Sequence, residues 1–471
     1  MKSLVWLRND LRIDDNQALK NACMSSSEVH CVYLHSLNQN EAHNEANCKT
    51  HFIIENLKSL EEDLGRFNIP LTVIDSNNFL DDSNKILQIV KERNLQKVFW
   101  NNQVGFDEIQ RDDLLKKVLD ENNIKYSNYE NGLVYSPGTL RTGDDRPYSV
   151  FTPFKRKWIE KFNIDLLDIE FNYTPKNNTD IKSNVTTFDF RFKKTHCVDM
   201  SLWPIGEKEA YKRLNDYLDQ KVLRYSKDRN DPIIDGTSRL SPYFASGVIS
   251  PRRCILEALK RNNFELDSNE IGIVKWIDEI VWREFYKNIM FCFPRVSKDK
   301  PFQEYTVNIK WRHDESELDA WKNGETGFPI IDAAMKQLKT EGWMHNRLRM
   351  VTAMFFTKNM LHDWKIGEAF FMQNLMDGDF SSNNGGWQWS SSTGTDAAPY
   401  FRIFNPLTQS KNFDKSGLFI KKYISELEDL DAKEIHSPAS NIRSHLGYPE
   451  QILDLKESRL RAIEAFNSAR N

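Results

Sequence analysis

The sequence has no long apolar run and no sign of export. Apolar residues make up 39% of its 471 residues, yet no stretch approaches the roughly 18 consecutive apolar residues of a membrane helix. Arg8 interrupts the first apolar stretch, so we expect no signal peptide. These absences exclude membrane, collagenous and disordered classes and predict a soluble, cytoplasmic protein with a real core.

Paired cysteines and a strong net charge are also missing. The six cysteines are scattered without a C-x-x-C pair, which excludes a zinc ribbon or disulfide framework and fits a reducing compartment. Lys and Arg number 64 against 68 Asp and Glu, giving a net charge of −4. Bulk charge therefore does not indicate a nucleic-acid partner, although a local basic stripe would suffice for one.

The first 130 residues alternate short β-rich runs with amphipathic runs. Strands are predicted at 3–7, 29–35, 70–75, 97–101 and 124–129, with a helix over 51–68. This order predicts a doubly wound, mostly parallel α/β domain over residues 1–130. Its first turn reads RNDLRIDDN and lacks G-x-G-x-x-G, which argues against a nicotinamide dinucleotide site there.

The rest of the chain divides into two further regions. Periodicity fails over 131–200, which is rich in Asn, Thr and Lys in its second half and is predicted to be an exposed interdomain linker. Helical patterns fill residues 201–471, with long runs over 269–290, 331–361 and 456–470. The sequence therefore predicts an α/β domain, a linker and an all-helical domain.

Two short segments of the helical region carry candidate ligand groups. GTSRLS, at 236–241, supplies hydroxyls and backbone amides that suit either a pyrophosphate cradle or a helix cap and turn. Glu279, Trp282, Arg283 and Tyr286 share one helix face, which suits a planar ligand or nucleic acid, or else a surface helix with a Glu–Arg pair.

Two later segments also allow more than one interpretation. In WMHNRLRM, Arg347 and Arg349 flank Met350 and could grip a phosphodiester beside an apolar floor, while His345 has no second ligand at metal spacing and is interpreted as structural. Asp377 and Asp379 could bind a metal, accept hydrogen bonds from a ring or cap a helix. We predict no metal site.

Tryptophan is unusually concentrated in this region. Eight of the 12 tryptophans lie between Trp276 and Trp389, which packing alone seldom requires. Core packing nevertheless remains the simpler interpretation of Trp311, Trp364 and Trp387 taken one at a time.

Taken together, these motifs resemble those of a known family. WLRNDLRIDDN at 6–16, GTSRLS, WREFY at 282–286, GWMHNRLRM at 342–350, and DGD followed by NNGGWQWSSSTGTDAAPYFRIFNP to residue 406 are similar to the photolyase/cryptochrome family. The similarity runs in order along essentially the whole chain and is greatest to bacterial class I cyclobutane pyrimidine dimer photolyases.

The resemblance implies one FAD, buried in the helical domain. Its phosphates and ribityl chain would contact Tyr225, Thr237, Ser238, Arg239, Leu240 and Ser241, and its ring edge would contact Asp377, Gly378 and Asp379. Arg349 would pair with Asp377. Asn383 would face flavin N5, where its neutral amide favours the reduced flavin.

For DNA, the resemblance implies a flipped dimer between Trp282 and Trp389, over Met350. Glu279 and Asn346 would hydrogen-bond the thymines. The backbone around the lesion would contact Arg229, Arg283, Arg347 and Gln409, with Tyr286 also on the DNA side. Trp387, Trp364 and Trp311 match the family's relay, which carries electrons from the surface to photoexcited flavin.

The implied activity is light-dependent repair of DNA containing cyclobutane pyrimidine dimers, by electron transfer from photoexcited FADH⁻ in a monomer. The preferred antenna is methenyltetrahydrofolate at His43, Asp107, Glu108 and Lys298, with a deazaflavin or an empty site as alternatives. A cryptochrome-like photoreceptor is the main alternative function, and a flavoprotein electron carrier is a weaker one; Met350, Trp389 and Asn383 favour repair.

Overall fold

The amino-terminal region is built on one parallel sheet. The computed structural model describes residues 1–130, 132–169, 177, 179–192, 198–266 and 271–470. The strands are β1 Lys2–Leu7, β2 Glu28–Ser36, β3 Leu71–Ser76, β4 Lys97–Asn101 and β5 Lys125–Tyr129. They lie in the order β3-β2-β1-β4-β5, each pair parallel. The predicted doubly wound fold and all five predicted strands are confirmed.

Helices connect and cover these strands. They are α1 Gln17–Ser25, α2 Leu37–Ala42, α3 Asn47–Gly65, α4 Phe79–Glu92 and α5 Phe106–Glu121. The α3 helix contains most of the predicted helix 51–68, and it buries Ile53, Leu57 and Leu60 at helical spacing. Because strand order reverses between β1 and β4, a crevice opens beyond their carboxyl ends, the usual ligand position in such sheets.

The described part of region 131–200 contains a helix that the sequence pattern does not predict. Residues 151–160 form helix α6, Phe151–Glu160, which buries Phe151, Phe154 and Trp158. Trp158 donates its indole N–H to Glu284, which also accepts from the backbone of Val134. The expectation of an exposed connection is therefore wrong for this helix, while residues 131, 170–176, 178 and 193–197 of the predicted linker lie outside the described part.

The carboxy-terminal region is helical, as predicted. Its helices are α7 Glu207–Gln220, α8 Tyr225–Asp228, α9 Ser241–Ser246, α10 Pro251–Lys260, α11 Ile271–Cys292, α12 Glu315–Asn323, α13 Pro329–Glu341, α14 Asn346–Met354, α15 Trp364–Asn374, α16 Phe380–Ser391, α17 Pro406–Phe413, α18 Leu418–Tyr423, α19 Ser440–Leu446 and α20 Leu455–Ser468.

The predicted helical run 331–361 is three pieces rather than one. Gly342 ends α13 in the left-handed conformation, at φ 61°, and its carbonyl accepts from Met376. His345 caps α14 by accepting from the Arg347 amide at 3.2 Å. A π-helical turn, Phe355–Asn359, follows α14. After the break at 342–345, the α14 residues Asn346, Arg349 and Met350 line a cavity described below.

The two regions pack closely through the turn after β1. Asp14 pairs with Arg253 at 2.6 Å and Asp15 with Arg252 at 2.8 Å. Gly247, at φ 72°, lies so near that an added Cβ would sit 2.0 Å from the carbonyl oxygen of Asn9. The RNDLRIDDN turn therefore anchors the sheet to the helical region.

Three classes of feature are absent from the described residues. No helix there is long and apolar enough to cross a membrane. No group of three His, Cys, Asp or Glu side chains is placed to bind a metal ion. The five cysteines in the described part are unpaired, and Cys197 lies outside it.

Candidate functional site

A cavity of about 490 Å³ lies among α8, α9, α11, α14 and α16. The structure brings most of the predicted flavin and DNA residues to its walls. They are Tyr225, Arg229, Thr237, Ser238, Arg239, Leu240, Ser241, Glu279, Trp282, Arg283, Tyr286, Asn346, Arg349, Met350, Asp377, Asp379, Asn383, Trp387 and Trp389. Gly378 lines a second cavity instead.

Asp377 and Arg349 form an ion pair on the wall of this cavity. The guanidinium donates to Asp377 Oδ2 at 2.7 Å and to the Met344 carbonyl at 2.8 Å. The other carboxylate oxygen, Oδ1, is buried and has no partner. Since a buried polar atom without a partner is costly, Oδ1 is a suitable acceptor for a ligand N–H or O–H group.

Asp379 begins α16 as its N-cap. Its Oδ1 accepts from the amide of Ser382 at 2.9 Å, and Oδ2 lies 3.1 Å from Lys287 Nζ. Although burial opposes the charge, Lys287, Arg283 and the bonds from Ser382 hold the pKa of Asp379 well below its usual value. Of the interpretations that the sequence left open, the cap is the one observed for Asp379, and it keeps a fixed negative charge at the cavity wall.

Asn383 is held by Glu368 of α15. Its amide nitrogen donates to the Glu368 carbonyl at 3.0 Å and to Glu368 Oε1 at 2.9 Å. Both amide hydrogens are thus occupied, so the amide oxygen is the atom available to a ligand. Burial raises the pKa of Glu368 to about 7, with the Asn383 bond opposing and Asp299 reinforcing the shift.

The segment 236–241 does not act as a side-chain cap. Leu240 is the N-cap of α9, and no side chain bonds the first turn. Arg239 has a left-handed backbone at φ 49°, and its guanidinium lies 4.7 Å from the centre of the Trp343 ring. The Ser241 hydroxyl accepts from the Trp343 indole at 3.2 Å. A strained, polar turn at a cavity wall fits a ligand-binding segment better than a simple cap.

Glu279 pairs across helices rather than along its own. Its Oε1 lies 2.6 Å from Arg229, at the carboxyl end of α8, and not in the i,i+4 pair with Arg283 that the sequence pattern allows. Arg283 lies over the Phe244 ring at 5.9 Å. Burial raises the pKa of Glu279 and the Arg229 charge opposes this. The carboxyl group thus lies at the cavity wall in an ion pair with Arg229.

Two predicted DNA residues lie outside the cavity wall. Arg347 donates to Asn230 Oδ1 at 2.7 Å and lies 4.5 Å from the centre of the Phe413 ring. Burial and then the neighbouring Arg229 lower its pKa, so the two guanidinium groups are close enough to repel. Gln409 keeps a buried side-chain oxygen without a partner. A backbone phosphate would relieve the repulsion between the two arginines.

His345 has the structural role interpreted from the sequence through Nδ1 alone, and its Nε2 is buried without a partner. It caps α14, and burial with nearby arginines lowers its pKa to about 3. The ring is therefore neutral at physiological pH.

The three predicted relay tryptophans differ in exposure. Trp387 and Trp364 are buried, and Trp311 is half-buried with its ring centre 6.1 Å from that of Phe466. Trp387 lines the cavity and packs edge-on against Phe371 at 5.0 Å. Gly367 is needed here, because a Cβ would meet the Trp387 ring at 2.1 Å. Trp387 is thus fixed between the cavity and the helical core.

A second cavity, of about 480 Å³, lies at the crevice beyond β1 and β4. Of the four predicted antenna residues, His43, Asp107 and Glu108 line it. His43 Nε2 lies 3.2 Å from Asp107 Oδ2. Lys298 does not line it; its ammonium lies 3.6 Å from the centre of the Phe106 ring.

The two cavities share part of their walls. Phe244, Arg283 and Asp379 contribute to both. Glu368 lines the second cavity while its carboxylate bonds Asn383 in the first. Ligands in the two cavities would therefore be neighbours.

Several residues at the site escape the sequence analysis. Glu368 and Lys287 hold Asn383 and Asp379, Phe151 stacks on Trp282, and Trp321 packs against Trp387. Phe151, Phe154 and Trp158 do recur at helical spacing, a signal that could have predicted α6. The contacts of Glu368 and Lys287 are tertiary, and no local pattern indicates them.

Comparison with known proteins adds independent findings. The family described as "DNA photolyase" matches residues 3–175, and the one described as "FAD binding domain of DNA photolyase" matches 276–468. The deoxyribodipyrimidine photo-lyase of Salmonella typhimurium is 37% identical over 99% of this chain and 98% of its own.

Solved structures agree with this likeness. A class III photolyase from Agrobacterium tumefaciens superposes with a TM-score of 0.87 at 31% identity, covering 100% of this chain and 98% of its own. An archaeal photolyase from Sulfolobus tokodaii, solved with two FAD molecules, gives 0.83 at 27% identity, covering 99% and 100%.

Proposed function

Because the chain belongs to the DNA photolyase family, we propose that it repairs DNA by splitting cyclobutane pyrimidine dimers in light. The observation that carries this proposal is the 490 Å³ cavity, where acidic and amide groups suited to a flavin share one space with Trp282, Trp389 and Met350. An aromatic pair over a thioether suits flat, apolar bases. Light-dependent DNA repair is thus assigned to the helical region.

FAD fits the groups on the cavity wall. Asp377 Oδ1 is a buried acceptor without a partner, and Asn383 presents an amide oxygen. We assign the ring edge to Asp377 and Asp379 with Gly378 nearby, and the phosphates and ribityl chain to Tyr225 and residues 237–241. Bound FAD, once fully reduced and excited by blue light, supplies one electron that opens the cyclobutane ring and is then returned.

The protein's own groups prepare the substrate for that electron. Extruding the dimer from the duplex costs stacking energy, as is general for photolyases, and Trp282 and Trp389 recover it by stacking on the bases. Asn346 hydrogen-bonds the thymines from α14. Arg229, Arg283, Arg347 and Gln409 position the DNA backbone, and Tyr286 lines the same cavity on the DNA side.

Glu279 has the most direct chemical role among these side chains. We assign Glu279 a hydrogen bond to a thymine carbonyl, donated by its protonated carboxyl group; burial raises the pKa of this carboxyl and the Arg229 charge opposes the rise. Negative charge develops on that carbonyl when the dimer gains an electron. A donor already in place stabilises this charge without reorganisation, which favours ring opening.

Trp387, Trp364 and Trp311 form the proposed route for reactivation of oxidised flavin. Trp387 lines the cavity and Trp311 is half-buried, and these exposures suit the two ends of a route from the ligand to solvent. Repair itself returns its electron, so we assign this route to the resting enzyme alone.

The second cavity is the proposed antenna site. We assign it to methenyltetrahydrofolate, with His43, Asp107 and Glu108 as contacts and Lys298 at its margin. The light-harvesting second FAD named for the Sulfolobus tokodaii protein is an alternative occupant. An absorption spectrum of the native protein distinguishes these, since flavin and folate absorb in different bands. We expect the protein to be cytoplasmic. We also expect a monomer, and size-exclusion chromatography with light scattering checks its mass.

Repair is tested directly with a dimer-containing oligothymidylate. Purified protein, reduced without oxygen and lit with blue light, should restore the intact thymines, while a dark sample should not. Retention of all dimers in the light would contradict the proposal. Flavin photoreduction without any loss of dimers would instead favour a cryptochrome-like photoreceptor.

A further inference from the structure

Phe151 covers one face of Trp282. The two rings are stacked, with centres 3.7 Å apart and planes inclined by 11°. Phe151 is buried and is not among the residues that line the 490 Å³ cavity, whereas Trp282 is half-buried and lines it. Phe151 thus covers one face of the indole, Phe285 and Tyr286 lie with their ring centres 5.7 and 5.5 Å from it, and part of Trp282 remains at the cavity wall.

Phe151 is itself held by the loop that follows Trp389. It is the first residue of α6, and the N-cap Val150 has no side-chain acceptor for the helix's free amides. Asp396 supplies one, since its Oδ2 accepts from the Phe151 amide at 3.1 Å. The hydroxyl of Thr395 donates to the Ser149 carbonyl. Segment 149–151 is therefore bonded to the loop joining α16 to α17.

We propose that the segment Ser149–Phe151 positions the aromatic clamp for the DNA lesion. Phe151 fixes the plane of Trp282 from behind. The clamp consists of Trp282 and Trp389, and Phe151 is its brace. The hydrogen bonds of segment 149–151 to Thr395 and Asp396 fix the brace relative to the loop that follows Trp389. Phe151 and Asp396 act as positioning residues, and the inference rests on the proposed role of Trp282 and Trp389 in lesion binding.

The brace lowers the entropy cost of binding. A half-buried indole without a stacked neighbour samples several orientations, and a lesion must then immobilise it. An indole already fixed loses less freedom when the bases stack on it. Removing the brace should therefore weaken lesion affinity by roughly twofold to tenfold, and it should leave phosphate-driven binding of undamaged DNA unchanged.

The test compares Phe151→Leu with two matched variants of the FAD-loaded protein. Phe151→Tyr keeps the stacked ring. Phe154→Leu makes the same change one turn later on α6, where the ring packs against Phe285 at 5.3 Å and against Tyr148. Fluorescence anisotropy measures the Kd for a duplex with one thymine dimer and for the same duplex undamaged, and flavin absorbance checks folding.

The inference requires a specific pattern. Phe151→Leu should lose dimer affinity but keep its affinity for the undamaged duplex, while Phe151→Tyr and Phe154→Leu behave as wild type. Equal Kd values for Phe151→Leu and wild type, or an equal loss for both duplexes or in Phe154→Leu, would overturn it. If wild type did not discriminate between the duplexes, the proposed function itself would fail first.

A second pair of variants tests the bond to the loop. Asp396→Ala removes the acceptor for the Phe151 amide, whereas Asp396→Asn retains an oxygen there. We expect a loss of dimer affinity for Ala and a smaller loss for Asn. Identical dimer affinity in wild type and Asp396→Ala would overturn the link to the loop, even if Phe151→Leu proved unstable.

Discussion

Asn383 gives both of its amide hydrogens to the single residue Glu368, one to the backbone carbonyl and one to the carboxylate. This arrangement sets the orientation of the amide, because a flipped amide would place its oxygen against two acceptors. Two predictions follow from the pair, one for the ligand and one for the fold.

Glu368→Leu should lower the reduction potential of bound flavin. The leucine removes the side-chain acceptor and leaves only the backbone carbonyl of residue 368 to accept from Asn383, so the amide oxygen is less firmly directed at the position proposed for flavin N5–H. Loss of one hydrogen bond, about 1 kcal/mol, corresponds to a shift on the order of tens of millivolts for one electron. Spectroelectrochemical titration measures it. Glu368→Gln, which keeps the acceptor, should remain near wild type; a matching shift there would contradict the orientation argument.

Glu368→Gln should stabilise the protein, and only at higher pH. Burial raises the folded pKa to about 7 from the ordinary 4.5, so between these values the folded state binds the proton and the unfolded state does not. Wild-type stability therefore falls as pH rises through this window, and the full cost, up to about 3 kcal/mol, is present above pH 7. Denaturant unfolding at about pH 5 and 8 checks this; a constant difference between the two proteins would refute it.

Asp377→Asn should weaken retention of FAD. The change removes a charged acceptor and leaves the Arg349 guanidinium without its anion. Hydrogen bonds to charged groups contribute about 1.5–3 kcal/mol, so we expect roughly 10-fold to 100-fold weaker binding. Release of flavin fluorescence on dilution measures it. Asp81→Asn, in the first turn of α4 and outside both cavities, is the control and should bind FAD normally.

Trp311→Phe should separate reactivation from repair. Phenylalanine is far harder to oxidise, so light should no longer reduce oxidised flavin, while chemically reduced protein should repair as before. Transient absorption measures the photoreduction of flavin, and the loss of dimers from an irradiated oligothymidylate measures repair. Trp203→Phe, a buried tryptophan whose indole bonds the Glu341 carbonyl, is the control and should photoreduce normally. An equal loss of both functions in Trp311→Phe would disprove the relay.

Arg347→Ala should weaken lesion binding and flatten its dependence on salt. Each phosphate contact contributes about 0.9 to the slope of log K against log salt concentration, so one contact's worth should disappear. Arg66→Ala, an exposed arginine after α3 that pairs with Asp63, should leave the slope unchanged. An unaltered slope for Arg347→Ala would place the DNA surface elsewhere.

The sequence was informative wherever a local pattern decides the structure. Each strand of the sheet is a short β-rich run, and α3 and α11 repeat apolar residues at helical spacing. The resemblance predicted that Asp377, Asn383 and Met350 belong to one site, and the structure places all three at one cavity.

The sequence was less informative where contacts between residues far apart in the chain decide the structure. Helix α6 is only ten residues long and is stabilised by partners such as Glu284 and Asp396, far away in sequence. Lys298 lies over the Phe106 ring, a tertiary contact that its spacing in the sequence does not predict, and its proposed antenna role stays a prediction. In the sequence, Glu368 is a single acidic residue in an apolar helix. Its role in holding Asn383 follows only from the tertiary contact between α15 and α16.

The ion pairs of Asp14 and Asp15 with Arg253 and Arg252 bear on how the chain can be divided. If either half is expressed alone, these charged side chains lose their partners and the interface between the halves becomes exposed to solvent. The backbone near Asn9, which Gly247 covers in the whole protein, is exposed with it. Each fragment should therefore be prone to precipitate, and a split protein should regain solubility only when both pieces are made together.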